Sequence, residues 1–383
     1  MLRYFFNNIL LLYELNFNQK TGAMKKIILF FLSILLVSCS KEGKEGSSVK
    51  GTFNVQFQAD LANTIYTSAI FGLAEVERQT NQAIDFFYID FEAEENGVIE
   101  VVIEETALNY KTEITKEVTT GHNSFSPKIK WKYDVLKQMK QSGYADFTFF
   151  CRNTAGDKLG SKDIKVRYTS INECVLVAKL QGKVYPLFHF MGAYVNEDSP
   201  VIDVFLKDVL NTTDLKAFTG YQGENLNAVA VNVINQVRAM FLTLRSKGVK
   251  YSSITDTSNN SSNPNVISQY IRFADEVMNN TQANCVDGTV FLCSALRKVG
   301  IEAFMVFQPG HVYLGYYANP DKKRPFLLET TMVGTDYSFM QATDINVNTF
   351  NKNIEKYNNK DYMDMYFIIN INDIRSLIKP IGR

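Results

Sequence analysis

Near residue 170 the apolar residues of this chain change their spacing, and that change limits each half to a different kind of architecture. Before it come short runs rich in β-branched and aromatic residues, such as Thr52 to Phe57, Val98 to Ile103, Lys128 to Tyr133, Ala145 to Cys151 and Asp163 to Tyr168. Runs of this kind read as strands, and Glu95-Asn96-Gly97 and Thr120-Gly121-His122-Asn123 supply the turns between them. Residues 49–170 are therefore expected to form an Ig-like antiparallel β-sandwich, crossed at one end by a short helix near Asp134 to Gln141. This half gathers no nucleophile or acid–base set, so it reads as a structural or spacing module, with His122 solvated in its turn.

After Glu173, helical spacing alternates with strands. Cys174 to Leu180 and Val184 to Phe190 suggest an opening hairpin. Ser199-Pro200 suits a helix start, followed by an apolar stripe of Val201, Phe205, Val209 and Leu210. A longer helix is expected from Asn225 to Lys247, closed by Gly248, and a third from Val266 to Asn279, with a loop at Ser258 to Asn265 between them. Residues 171–383 thus read as a second, α+β domain. The length agrees, since 383 residues exceed what one core usually serves, and 46% hydrophobic residues can fill two.

The N-terminus carries a secretory pattern. Lys25 and Lys26 precede an apolar run from Ile27 to Leu36, which ends in Leu36-Val37-Ser38-Cys39. The run is far shorter than the roughly 20 residues that cross a bilayer, so cleavage is expected and not a permanent span. Its last four residues resemble a bacterial lipobox, which implies lipidation of Cys39 and a lipid anchor to a membrane of the bacterial cell envelope, the outer membrane first. An ordinary signal peptide with an incidental Cys39 is the alternative. Met24 is a plausible start, so residues 1–39 read as an upstream extension plus signal. Residues 40–48, small and charged, read as a flexible tether.

Lys+Arg and Asp+Glu both total 40, so no net field draws the chain to nucleic acid. Cys151, Cys174, Cys285 and Cys293 match no zinc spacing, and with three His residues no metal site or cofactor is expected. Cys151 and Cys174 read either as two buried thiols or as a pair.

The chemistry concentrates in Gln282-Ala283-Asn284-Cys285-Val286-Asp287-Gly288, which leads into Phe291, Leu292, Leu296 and Val299 at helical spacing and closes at Gly300. Cys285 therefore sits at a helix N-terminus, where free N–H groups and the helix dipole favour a thiolate. Asp287, two residues in, reads as a favourable charge at that end and Cys293 as core. Glu302 to Phe307 reads as a strand, Pro309-Gly310 as a turn, and His311 to Tyr317 as a strand beginning with the His. A thiol on a helix and an imidazole on a following strand suit nucleophilic acyl transfer. His189, between two Phe residues, reads as packing.

These residues resemble the transglutaminase-like, papain-like superfamily. Cys285, the Leu296-to-Ile301 helix exit and Gly310-His311 carry the likeness, which spans roughly Val201 to Asp344. It implies a cysteine nucleophile, a histidine base and an acid on the next strand. Glu329 in Leu327-Leu328-Glu329-Thr330-Thr331 stands where Asp is more usual, with Asp321 as the competitor. Pairing Gly315 with Pro325 sets Glu329 opposite His311 on one face and leaves Asp321 in a loop with Lys322, Lys323 and Arg324. Gln282 is either an oxyanion donor or a loop contact.

The expected chemistry is attack on a peptide amide, from protein or from peptidoglycan peptide. Cross-linking transglutaminases carry a tryptophan upstream of the Cys, whereas Trp131 lies in the first half. A cysteine peptidase or amidase is thus preferred to a cross-linking enzyme. A non-catalytic envelope binding module that keeps the fold is the rival from another class.

Overall fold

The structure, a computed structural model, describes residues 49–253, 263–362 and 365–382. The expected leader, the tether and Cys39 lie outside the described residues. Within them the chain is mixed α+β, and no helix is long and apolar enough to cross a membrane.

The first half runs β1 (Gly51–Phe57), β2 (Thr64–Ile65), α1 (Thr67–Thr80), β3 (Phe87–Ala93), β4 (Gly97–Ile103), β5 (Thr112–Val118), β6 (Gly121–Phe125), β7 (Gly143–Asn153) and β8 (Lys158–Tyr168). These strands make two sheets, β1-β3-β6 and β2-β8-β7-β4-β5. Their inner faces meet through aromatic rings, with Phe87 of β3 5.0 Å from both Phe147 and Phe149 of β7. All pairings are antiparallel except β2 with β8, which is parallel. Lys128 to Tyr133 is not a strand: Trp131 makes one isolated bridge to Asn109, and a single helical turn begins at Tyr133.

Helix α1 is the main departure from an all-β half. Its Ile70, Leu73 and Val76 are buried at helical spacing, and Gly72 lets the helix approach so closely that a Cβ there would lie 2.4 Å from the Phe190 ring. Ser68 Oγ also accepts from the Val175 N–H at 3.1 Å. Helix α1 thus packs against the second half, and buried side chains from both sides of residue 170 belong to one contiguous cluster.

The second half opens with β9 (Glu173–Leu180) and β10 (Lys183–Pro186), a shorter hairpin than expected because a 3-10 segment over Phe188–Ala193 replaces the end of its second arm. Then come α2 (Pro200–Thr212), α3 (Leu226–Ser246), β11 (Lys250–Tyr251), β12 (Val266–Tyr270), α4 (Ala274–Asn280), β13 (Gln282–Ala283), α5 (Cys285–Lys298), β14 (Ala303–Gln308), β15 (His311–Tyr317), β16 (Pro325–Leu328), α6 (Phe339–Tyr357) and β17 (Phe367–Asn370). The expected helix from Val266 to Asn279 is instead β12 followed by the short α4. Val266 and Ser268 are buried while Ile267 between them is half exposed, a period of two that pairing with β9 decides.

The sheet β16-β15-β14-β17 carries α5 on one side. On its other side Phe304, Val306, Tyr313 and Leu327 bury against Val347, Phe350 and Tyr357 of α6.

Candidate active site

Cys285 is the first residue of α5, and the local sequence fixes where that helix begins. Asn284 caps it: its side chain accepts from Asp287 N–H at 2.9 Å, and Asp287 accepts in return from Asn284 N–H at 3.0 Å. Such a reciprocal cap is worth about 1 kcal/mol. Asp287 does more than its place in the sequence suggests. Its side chain is fully buried and also accepts from the Arg272 backbone N–H at 2.8 Å and guanidinium at 2.6 Å. Burial pushes this carboxyl up, against the hydrogen bonds and the guanidinium that favour its charged form. Breaking one partner out of such a buried pair costs about 3–5 kcal/mol, so the N-terminus of α5 is pinned to the turn after β12. No spacing rule singles out Arg272.

His311 is placed by the shortest available connection. Gln308 of β14 and His311 of β15 are register partners, joined by Pro309-Gly310, and Gly310 has φ +70°. Pro at the first central position and a positive φ at the second are what a type II turn requires.

Glu329 reaches the imidazole by a route the sequence does not reveal. The structure pairs Gly315 with Leu327, not with Pro325, and β16 ends at Leu328. In that register Glu329 is not opposite His311. The shift is by two residues, which keeps every side chain on its original face, and Glu329 then leaves the strand to cap the 3-10 turn Thr330–Met332. From there its Oε2 lies 2.8 Å from His311 Nε2, while Oε1 accepts from Thr331 N–H at 3.1 Å and Thr331 Oγ1 at 2.6 Å. The carboxylate is nearly buried, so both oxygens are committed. Thr331, two residues on, is the short side-chain turn that orients it.

The electrostatics of the pair follow from these contacts. Burial works against protonation of His311, but the Cys285 side chain and Glu329 outweigh it and lift the imidazole to about 10. Burial likewise works against the Glu329 carboxylate, yet His311 and Thr331 hold it below the ordinary range. With Nε2 taken by Glu329, the other ring nitrogen is the one left for Cys285.

Thr330 ties the two parts together. Its hydroxyl donates to the Cys285 carbonyl at 3.3 Å, and it packs so tightly on Gly288 that a Cβ there would lie 2.9 Å from it. Gly288 therefore reflects the close approach of α5 and the Glu329 turn.

Cys285 and His311 line one cleft of about 440 Å³, together with residues of β12 and the rings of Phe188, Phe307 and Phe367. Asp321 is not brought there; it lies exposed in the β15–β16 connection, 3.9 Å from Lys323. Gln282 lies in β13, paired in parallel with Lys250 of β11, and is not among the residues lining the cleft. Gln269 and Gln308 are, and neither stands at a spacing that marks it in the sequence. A larger open hollow of about 600 Å³ between the end of α2 and α3, near Thr212, Asp214 and Arg238, holds none of these groups.

The remaining candidates stand apart. Cys151, Cys174 and Cys293 are free and buried, and burial raises all three thiols, Cys151 and Cys293 to about 12. His189 is buried and lowered to about 4 by burial, while His122 is exposed beside Glu92 at 3.2 Å. Among the described residues no group of three His, Cys, Asp or Glu side chains could hold a metal.

Comparison of the chain with family models, with curated proteins and with solved structures finds no match.

Proposed function

We propose that this protein is a thiol-dependent acyl-transfer enzyme, a cysteine peptidase or amidase of the transglutaminase-like, papain-like kind, acting on peptide amides. The observation that carries the reading is the 2.8 Å contact from His311 Nε2 to Glu329, with Cys285 at the start of α5 lining the same cleft as that ring. A buried carboxylate that fixes an imidazole beside a half-exposed thiol is a constellation with a chemical use and little structural need.

In this reading Cys285 passes its proton to His311, and Sγ attacks the amide carbonyl carbon. Glu329 stabilises the imidazolium and holds the ring in place. The C–N bond then breaks as His311 returns its proton to the leaving amine, which leaves a thioester on Cys285. Water, deprotonated by His311, releases the acid. A second amine in place of water would give cross-linking, and Trp131, packed on Phe86 and Phe147 in the first half, offers that route no help at the cleft.

In the same reading the two sheets of residues 49–170 form the Ig-like sandwich, and residues 171–383 form the papain-like domain. The chain is exported and held to the envelope by lipid on Cys39. The test is alkylation by iodoacetamide followed by mass spectrometry, together with incubation in a peptide library. Modification of Cys285 much faster than Cys293, with cleaved or deamidated peptides that vanish in Cys285→Ala, is the expected result. Equal, slow labelling of both thiols would favour the non-catalytic binding module.

A further inference from the structure

Besides Cys285 and His311, the cleft is lined by two unlike groups of described residues, and neither brings a charge to it. The first is strand: Ile267, Ser268 and Gln269 of β12, with Leu176 and Val177 of β9. Among the described residues β12 is the outermost strand of its sheet, in the order β10-β9-β12. An outer strand leaves alternate N–H and C=O groups without a strand partner, so an extended chain can add to it. Ile267 on this strand is 50% exposed.

The second is a cluster of rings. Phe188 lies 5.6 Å from Phe307 and 4.6 Å from Phe367, and these last two stack at 4.5 Å with their planes 13° apart. Met191 and Met365 extend the surface. Apart from Cys285 and His311, no described residue that lines the cleft can ionise.

We propose, on the acyl-transfer reading above, that the substrate is an extended polypeptide segment that adds to the free edge of β12. It buries a large apolar or aromatic side chain on Phe188, Phe307 and Phe367, next to the amide that Cys285 attacks. A charged side chain entering this cleft loses water and meets no counter-charge. The substrate class is therefore apolar protein segments, and charge-rich short peptides of the peptidoglycan type are excluded. Burial of one Leu- or Phe-sized side chain corresponds to about tenfold or more in affinity.

The test follows how peptides slow the alkylation of Cys285 by iodoacetamide in the full chain, with Cys293 as the internal reference. Five hexapeptides suffice: one with a central Phe, one each with Asp and Lys in its place, and the Phe peptide N-methylated in each of the two alternate backbone patterns. The Phe peptide is expected to half-protect Cys285 at a concentration at least about tenfold lower than the charged ones. One of the two alternate N-methylation patterns should weaken protection by about tenfold, and Ile267→Lys should do the same for the unmethylated peptide. Equal protection by charged peptides, indifference to both methylation patterns, or no protection at all would overturn the inference while fast labelling of Cys285 leaves the thiol reading intact. Labelling of Cys285 no faster than Cys293 would overturn both.

Discussion

Two cysteines on α5 stand eight residues apart, and the contrast between them shows how position along one helix decides chemistry. Cys293 is fully buried in the middle of the helix, and burial lifts its thiol to about 12. Cys285 is half-buried at the first position and lines the same cleft as His311. Both belong to the same apolar-rich segment, so composition does not separate them. What separates them is the cap at Asn284, which starts the helix at Cys285, and the Glu329 turn, which carries an imidazole partner to that end only.

The comparison breaks most sharply by substitution. Cys285→Ala should lower peptide turnover by about 10⁴-fold or more, whereas Cys293→Ala should leave turnover within about twofold and cost stability alone. Loss of activity in both would make the middle of α5 part of the site, and activity in both would remove the thiol from the chemistry.

The next effect falls on the support of the ring. Glu329→Gln keeps shape and removes charge, so turnover should drop about 10²- to 10⁴-fold. The pH dependence gives a second readout. Because the folded His311 is raised from 6.5 to about 10, its contribution to stability is fully present below pH 6.5 and is lost as pH rises through about 10. Activity that needs the imidazolium should fall over the same alkaline range, with a limb that belongs to the coupled Cys285, His311 and Glu329 set. Glu329→Gln should move that limb to lower pH, and an unmoved limb would assign it to another group. Urea midpoints measured across this range follow the stability part.

A smaller effect tests how the two parts of the site are held together. Gly288→Ala sets a methyl 2.9 Å from Thr330, so the turn carrying Glu329 must shift. We expect a loss of about 1–3 kcal/mol in unfolding free energy, with turnover reduced more than in a core variant of equal stability loss. Smallest of all, Asp321→Asn should change turnover by less than about twofold, since a partly exposed carboxylate 3.9 Å from a solvated Lys323 contributes under about 1 kcal/mol. An inactive Asp321→Asn would sharpen the comparison differently, by moving the acid's role into the loop.

The local parts of the site are legible in the sequence because short-range chemistry determines them. Asn284 and Asp287 mark a helix start, Pro309-Gly310 marks a tight turn, and His311 therefore begins a strand. Period-two parity keeps the β16 side chains on the same faces in either register, while Glu329 itself leaves the strand to reach His311. Three things were decided only by tertiary structure. The register of β15 with β16 slid by two residues, which parity cannot detect because side chains two apart share a face. Val266–Tyr270 became a strand because β9 offered it a partner, and its short apolar run suits either period. Arg272 paired with Asp287, and Phe188 and Phe367 lining the cleft with Ile267, come from stretches with no fixed spacing to Cys285. Helix caps and turns depend on neighbours within about four residues, whereas buried ion pairs and cleft walls depend on which faces the whole chain brings together.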